Sequence, residues 1–266
     1  MAFPADWIVP EWAAPASVRA VFTSRSGGVS VAPFDSFNLG NHVRDAPAAV
    51  ARNREQLAHA LGRRPVFLEQ VHGTAVLPLD SDTLDGTAAD ACLSTTPGLA
   101  CTIMVADCLP VLFAHTSGAV VAAAHAGWRG LAQGVLESTL SALVVAVQRT
   151  APAATPASVA QETLTWLGPC IGPTAFEVGA EVREAFVARR PEAQKAFEAS
   201  SGGKFLANLP ALALGQLGAM GITQVTGNDG TAPWCTFTQS SRFFSHRRDA
   251  ADLGSTGRMA ACIWLV

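Results

Sequence analysis

Three residues stand where a chain most easily displays side-chain chemistry. His72 lies in LEQVHG, Cys108 in VADCLP and His125 in AAAHAGWRG, each at a strand end or break beside Gly or Pro. Such places expose a side chain at the rim of a sheet. Two imidazoles and a thiolate with an open fourth position suit catalytic zinc, which acidifies a bound water. The same donors suit copper. Separations of 36 and 17 residues match no short zinc-finger pattern, so spacing alone does not join the three. Without a metal, Cys108 is a candidate nucleophile with His125 or His72 as its base. The competing reading is packing, since cysteine is among the most buried residue types.

Other stretches look suited to anions. TSRSGGVS sets Arg25 beside a glycine pair whose N–H groups can form a nest. NLGNHVRD adds Asn38 and Arg44, and FFSHRRDAADLGSTGR holds His246, Arg247, Arg248 and Arg258. Arg129 follows His125 at a helix start, where the dipole favours negative charge. Gln70 precedes His72 by two positions and joins Arg25, Asn38, Arg44, Arg129 and Arg248 as a candidate substrate contact. Asp107, directly before Cys108, is read as a catalytic acid or as the anchor of a histidine ligand, with Glu177 as the other acid. A solvated basic turn is the competing reading for each arginine stretch. There is no P-loop, GxGxxG after a strand, HExxH or GxSxG, and the HxE with PCxxC signature of zinc deaminases is missing.

The elements that must position these residues follow from periodicity. Strands are predicted at 17–24, on both sides of His72-Gly73, over 99–115 with a break at Asp107 to Pro110, at 118–127, from Leu164 and at the C-terminus. Helices are predicted at 46–61, 128–149, 176–190 and 209–221, and a surface loop at 150–161. Strands and helices mix without a strict βαβ rhythm. The expected fold class is α/β (α+β), one domain over residues 1–266 with mixed β-sheets sandwiched by helices.

Composition narrows the classes further. The 266 residues are 49% hydrophobic and 15% charged, with net charge −3, which argues against a polyanion partner such as nucleic acid. The N-terminus lacks a signal-peptide pattern, and the longest apolar run is far too short to span a bilayer, so a cytoplasmic protein with no membrane partner is expected. Six cysteines in such a chain read as thiols. Cys92, Cys101, Cys170, Cys235 and Cys262 are assigned to packing, and His42, His59 and His115 to surface or loop positions.

The motifs TSRSGGVS, FNLGNHVRD, LEQVHGTAV, ADCLPVLF, AAHAGWRGL, GPCIGPTAFEVGAEV, CTFTQSSRFFSHRRD and TGRMAACIW, in that order over residues 17–266, resemble one family. It is described variously as laccase-domain purine nucleoside phosphorylase, multicopper polyphenol oxidase or peptidoglycan editing factor. The resemblance implies a cysteine-hydrolase-like α/β fold and a metal site, usually zinc, at His72, Cys108 and His125. It implies phosphorolysis of adenosine, inosine, guanosine and methylthioadenosine, and deamination of adenosine, in a monomer or small homo-oligomer. Copper-dependent, laccase-like phenol oxidation and a Cys-His hydrolase acting on peptidoglycan precursors are the alternatives it carries. A non-enzymatic binding module ranks last, because the polar groups converge on strand ends. The chain departs from the family at Ser24, which shifts the register of Arg25, at Phe176 where a tyrosine is usual, and at Ala207, which removes a carboxylate.

Overall fold

Along the final strand, residues 259–265, side chains alternate between two cores. Met259, Ala261, Ile263 and Leu265 face one, and Ala260, Cys262 and Trp264 face the other. That period of two with both faces apolar marks a strand buried between layers. A computed structural model describes residues 3–266 and shows those layers.

The chain opens with β1 (Val18–Phe22) and α1 (Pro47–Leu61), then β2 (Arg64–Phe67), β3 (Val76–Pro78), β4 (Ala91–Ser94), β5 (Leu99–Val105), β6 (Leu109–His115) and β7 (Val121–Ala126). Helices α2 (Trp128–Gln133), α3 (Val135–Gln148) and α4 (Pro156–Gln161) follow, then β8 (Thr163–Leu167), β9 (Glu177–Val178) and α5 (Ala180–Val187). Strands β10 (Phe197–Ala199) and β11 (Phe205–Ala207) precede α6 (Leu209–Ala219), β12 (Gln224–Gly227), α7 (His246–Leu253) and β13 (Met259–Leu265). Four strands form one mixed sheet in the order β1-β13-β5-β2, and six form a second in the order β12-β8-β6-β7-β4-β3. Strands β10, β11 and β9 make a small third sheet.

The two large sheets pack face to face. Phe22, Ile103 and Ile263 of the first meet Leu112, Ala123 and Trp166 of the second. Leu57 and Leu61 of α1 cover the outer face of the four-stranded sheet. Helices α3, α5 and α6 cover the outer face of the six-stranded sheet through Leu136, Leu143, Phe186 and Leu217. The architecture is therefore the mixed α/β arrangement of sheets between helices that the sequence led us to expect. Four alanines in β7 keep the central strand thin enough for a sheet on one face and α3 on the other. Residues of even number in β7 face the helices and those of odd number face the other sheet, so His125 points towards the space between the sheets.

Several boundaries differ from expectation. The predicted 99–115 strand is two strands in different sheets, parted at the expected break. The predicted 128–149 helix is broken at Gly134, whose φ of 106° no helix contains. Residues 176–179 are not helical, because Glu177 and Val178 pair with β11. The 150–161 loop contains α4, started by Pro156 and a reciprocal capping box between Thr155 and Ser158. Among the described residues no helix is long and apolar enough to cross a membrane.

His115 is not a surface residue: it is 4% exposed, at the end of β6. Its Nδ1 accepts from the Ser117 N–H at 3.2 Å, which favours the neutral ring. Burial lowers its pKa, and the Glu162 carboxylate, 3.4 Å from Nε2, only partly opposes this. The unfolded chain then binds this proton more readily than the folded one, so stability falls as pH drops below the ordinary value of 6.5. We predict that the urea midpoint declines between pH 7.5 and 5.5, and that His115→Gln flattens the decline. Equal slopes for both proteins would remove His115 from the acid response.

Candidate active site and metal centre

One buried carboxylate organises the site. Asp90 is fully buried just before β4. It accepts three consecutive backbone N–H groups, those of Val71 at 3.1 Å, His72 at 2.9 Å and Gly73 at 2.6 Å. A fourth donor is His125 Nδ1, 2.8 Å away. The carbonyl of Asp90 also accepts from the His125 N–H at 2.7 Å. Burial works against the Asp90 anion, but these hydrogen bonds and the His125 charge outweigh it and leave the carboxyl below its ordinary pKa. The loop between β2 and β3 thus wraps an anion, and His72 holds a φ of 59°, unusual outside glycine, within it.

The wrap brings His72 over the end of β7. Its ring centroid lies 4.7 Å from that of His125 at 71°, and its Nε2 lies 3.7 Å from Cys108 Sγ. One donor atom from each of His72, Cys108 and His125 lies within 4.8 Å of the others. Gly127 makes room: a Cβ there would stand 2.7 Å from His72 Cδ2 and 3.0 Å from Cys108 Sγ. Gly130 does the same for the loop, since its Cβ would meet the Gly73 carbonyl oxygen at 2.8 Å.

The site's electrostatics favour a thiolate. Burial opposes the Cys108 anion, but the His125 charge and hydrogen bonds from both imidazoles bring the thiol down to about 6. Burial likewise opposes the His125 cation, yet Cys108 and Asp90 raise it to about 9. The thiolate and the imidazolium thus favour one another. The donor set also fits a metal. Asp90 occupies Nδ1 of His125, which leaves Nε2 as its free nitrogen. With Nε2 of His72 and Sγ of Cys108 this gives a His₂Cys set, and no fourth Cys, His or carboxylate joins it among the described residues.

Asp107 is not the anchor of a histidine; Asp90 is. Asp107 sits at φ 88° in the break between β5 and β6. Its carboxylate is spent on the Thr236 hydroxyl at 2.6 Å and the Arg247 N–H at 2.6 Å, so it pins the Cys108 turn to α7. Glu177 pairs with Lys204 at 2.7 Å and accepts from Ser200, and it does not line the space around His72, Cys108 and His125.

A cleft of about 800 Å³ opens over His72, Cys108 and His125. Of the substrate candidates, Gln70 and Arg129 line it. Gln70 spends both ends of its amide on the Met104 backbone, donating at 2.8 Å and accepting at 2.8 Å. Arg129 is exposed and stacks on Trp128, 4.5 Å from the ring. Trp128 itself is half-buried and packs against the helix-side core. Arg25, Asn38, Arg44 and Arg248 do not line the cleft. Arg25 donates to the carbonyls of Asp35 and Ser240 and lies over Phe244. Arg248 donates to the carbonyls of Thr236, Phe237 and Phe243. Asn38 accepts from the Arg258 N–H and so shapes the cleft wall from behind. Arg44 is exposed, at φ 71°.

Sequence reasoning missed Asp90, Arg54, Glu69 and Asp85, and the last three line the cleft with Arg258, His42 and His246. Arg54 sits on α1 over the Phe67 ring at 3.8 Å. The five other cysteines are buried, as packing thiols should be.

This fold is shared with known proteins. Residues 19–266 match the family model for multi-copper polyphenol oxidoreductase laccase. The chain belongs to that family. It is 52% identical to a purine nucleoside phosphorylase of Pseudomonas aeruginosa, with 97% of this chain and 98% of the relative covered. It is 48% identical to the purine nucleoside phosphorylase YfiH of Escherichia coli strain K12, over 97% of this chain and 98% of the relative. The crystal structure of a Neisseria meningitidis protein superposes with a TM-score of 0.87 at 45% identity, covering 98% of this chain and 99% of that one.

Two outcomes follow from this geometry. Asp90→Asn removes the charge that His125 and the 71–73 loop share. It should weaken metal affinity 10- to 100-fold by competition with a chelator, while the far-UV circular dichroism stays unchanged. Unaltered affinity would mean that the carboxylate does not position the ligands. In metal-free protein at pH 7, iodoacetamide should modify Cys108 ahead of the other five thiols by peptide mass spectrometry, because Cys108 alone combines partial exposure with a lowered pKa.

Proposed function

We propose that the chain is a metal-dependent purine nucleoside phosphorylase. The observation that carries this reading is the composition of the cleft. Arg54, Arg129 and Arg258 surround the His72–Cys108–His125 group in a space large enough for a nucleoside and a phosphate. The names of the relatives point the same way. Guanidinium groups suit phosphate through paired N–H donors. In phosphorolysis a phosphate oxygen bonds to C1′ of the ribose as the bond from C1′ to the purine nitrogen breaks. The electron pair leaves with the purine, which takes up a proton. The arginines hold and orient the phosphate, and the low-dielectric cleft strengthens their pull on the developing charge. A zinc ion held by His72, Cys108 and His125, with copper as the other metal these donors accept, supplies Lewis acidity when bound.

Adenosine, inosine, guanosine and methylthioadenosine are the substrates this reading implies. Adenosine deamination, in which water adds at C6 and ammonia leaves, belongs to the same cleft. There Glu69 is the carboxylate able to move protons, in place of Asp107 and Glu177, since Asp85 accepts from the Phe67 N–H at 3.1 Å and faces Arg54. A second reading has its own support: Cys108 Sγ lies within 4.8 Å of a nitrogen of His125 and its thiol is lowered to about 6, which suits the nucleophile and base of a cysteine hydrolase.

Elemental analysis paired with a phosphate-dependent assay of hypoxanthine release from inosine separates the two. Stoichiometric zinc with phosphate-dependent release supports the phosphorylase. Zinc-free protein that hydrolyses amides and is inactivated by iodoacetamide supports the hydrolase. His125→Ala should lose metal and nucleoside turnover together, and full turnover in that metal-free variant would overturn the reading. Arg129→Ala should raise KM for phosphate about tenfold or more with a smaller change in kcat.

A further inference from the structure

A second cavity, of about 630 Å³, lies on the helical side of the molecule. Phe186 of α5, Leu212 and Ala211 of α6, and Ala193 and Ala196 of the 3₁₀ turn between α5 and β10 give it apolar walls. Its floor is the last turn of α2, the helix whose first residues adjoin the metal group. Arg189 donates to the Ala132 carbonyl there, and Gln216 donates to the Leu131 carbonyl at 3.0 Å.

The hydrogen-bond inventory of this cavity is lopsided. The bond to Leu131 fixes the Gln216 amide, and its Oε1 is buried with no partner. Gln216 as a whole is only 7% exposed. Oε2 of Glu137, which also lines the cavity, is likewise buried without a partner. Arg189 donates to Ala132, and Arg190 divides its guanidinium between the Gly215 carbonyl at 2.9 Å and Oε1 of Glu137 at 3.6 Å; Lys195 lines the cavity as well, yet none of these meets Gln216 Oε1 or Glu137 Oε2. Buried acceptors left unpaired are uncommon and costly. What these two oxygens lack is a donor.

We propose that this cavity is a second ligand site that takes a small, flat, apolar molecule bearing N–H donors, an aromatic or heteroaromatic amine. The ring fills the apolar space between α5 and α6, and its N–H groups meet Gln216 Oε1 and Glu137 Oε2. The site is separate from the metal cleft, shares no lining residue with it, and does not rest on the phosphorylase reading.

Gly215 provides the test. It lines the cavity from α6, and a Cβ there would meet nothing within 4 Å. Gly215→Leu therefore fills the space without a backbone clash and improves helix propensity, so the variant should melt no lower than the parent. The probe is 2-aminobenzimidazole, with N-methylindole as a control of similar size that has no N–H. Calorimetry should show binding of the amine, weakened at least tenfold by Gly215→Leu and about tenfold by Gln216→Met, and weak binding of N-methylindole throughout. Crystals soaked in the amine should hold it between α5 and α6. Undiminished binding to Gly215→Leu, equal binding of N-methylindole, or density for the amine only in the metal cleft would overturn the proposal.

Discussion

The site depends on the Asp90 carboxylate. Burying an unpaired charge costs several kcal/mol, so a fully buried aspartate is stable only where donors converge on it. Here four do, three from the backbone of residues 71–73 and one from the His125 ring. The consequence reaches beyond stability. One anion holds His72 through its main chain and His125 through its ring, so the two imidazoles are fixed relative to a single point. The same contact selects which His125 nitrogen is free. Ligand geometry and ligand tautomer come from one interaction.

Space is the second constraint, and it explains the composition of the turn after β7. His72 and Cys108 close over the Gly127 Cα, and the 73 carbonyl closes over Gly130. In GWRG, then, the two glycines are the places where the β2–β3 loop touches α2. Trp128 fastens the same helix to the core beneath, and Arg129 is left facing the cleft. The alanine run of β7 belongs to this arrangement as well. It lets both layers approach the strand that delivers His125, and strand parity then turns that side chain towards Cys108.

His72, Cys108 and His125 were legible as candidates because each carries unusual chemistry at a visible break in an apolar strand, but the family resemblance, not their spacing, joined them into one group. The alternating strands and the helix over 46–61 were legible because their pattern is local. Asp90 was not. In AADAC it reads as one acidic residue before a strand, and only the folded loop shows that three N–H groups turn to meet it. Asp107 drew the anchoring role instead by adjacency to Cys108. Its contacts at residues 236 and 247 lie far along the chain, where no sequence spacing reports them. The helix starting at Trp128 was too long by reading because a glycine break is weak evidence until its φ is known.

The arginines show the limit most directly. A guanidinium has five donors in a rigid fork, which serves a phosphate and a set of backbone carbonyls equally well. Sequence cannot separate the two uses. Arg25 and Arg248 spend their forks on loop carbonyls away from the cleft, whereas Arg54 and Arg258 border the cleft while donating in part to the carbonyls of Leu39, Thr256 and Gly257, and Arg129 borders it exposed. The two groups are nevertheless linked. Arg248 ties together the carbonyls of residues 236, 237 and 243, and Thr236 in turn binds Asp107, next to Cys108. Fastening arginines thus hold the loops around the cleft that other arginines line. The cleft of a chain with a net charge of −3 thus offers individual guanidinium groups, set among Glu69 and Asp85. Net charge governs attraction to an extended polyanion, while a single small anion responds to the few charges within a Debye length of about 8–10 Å.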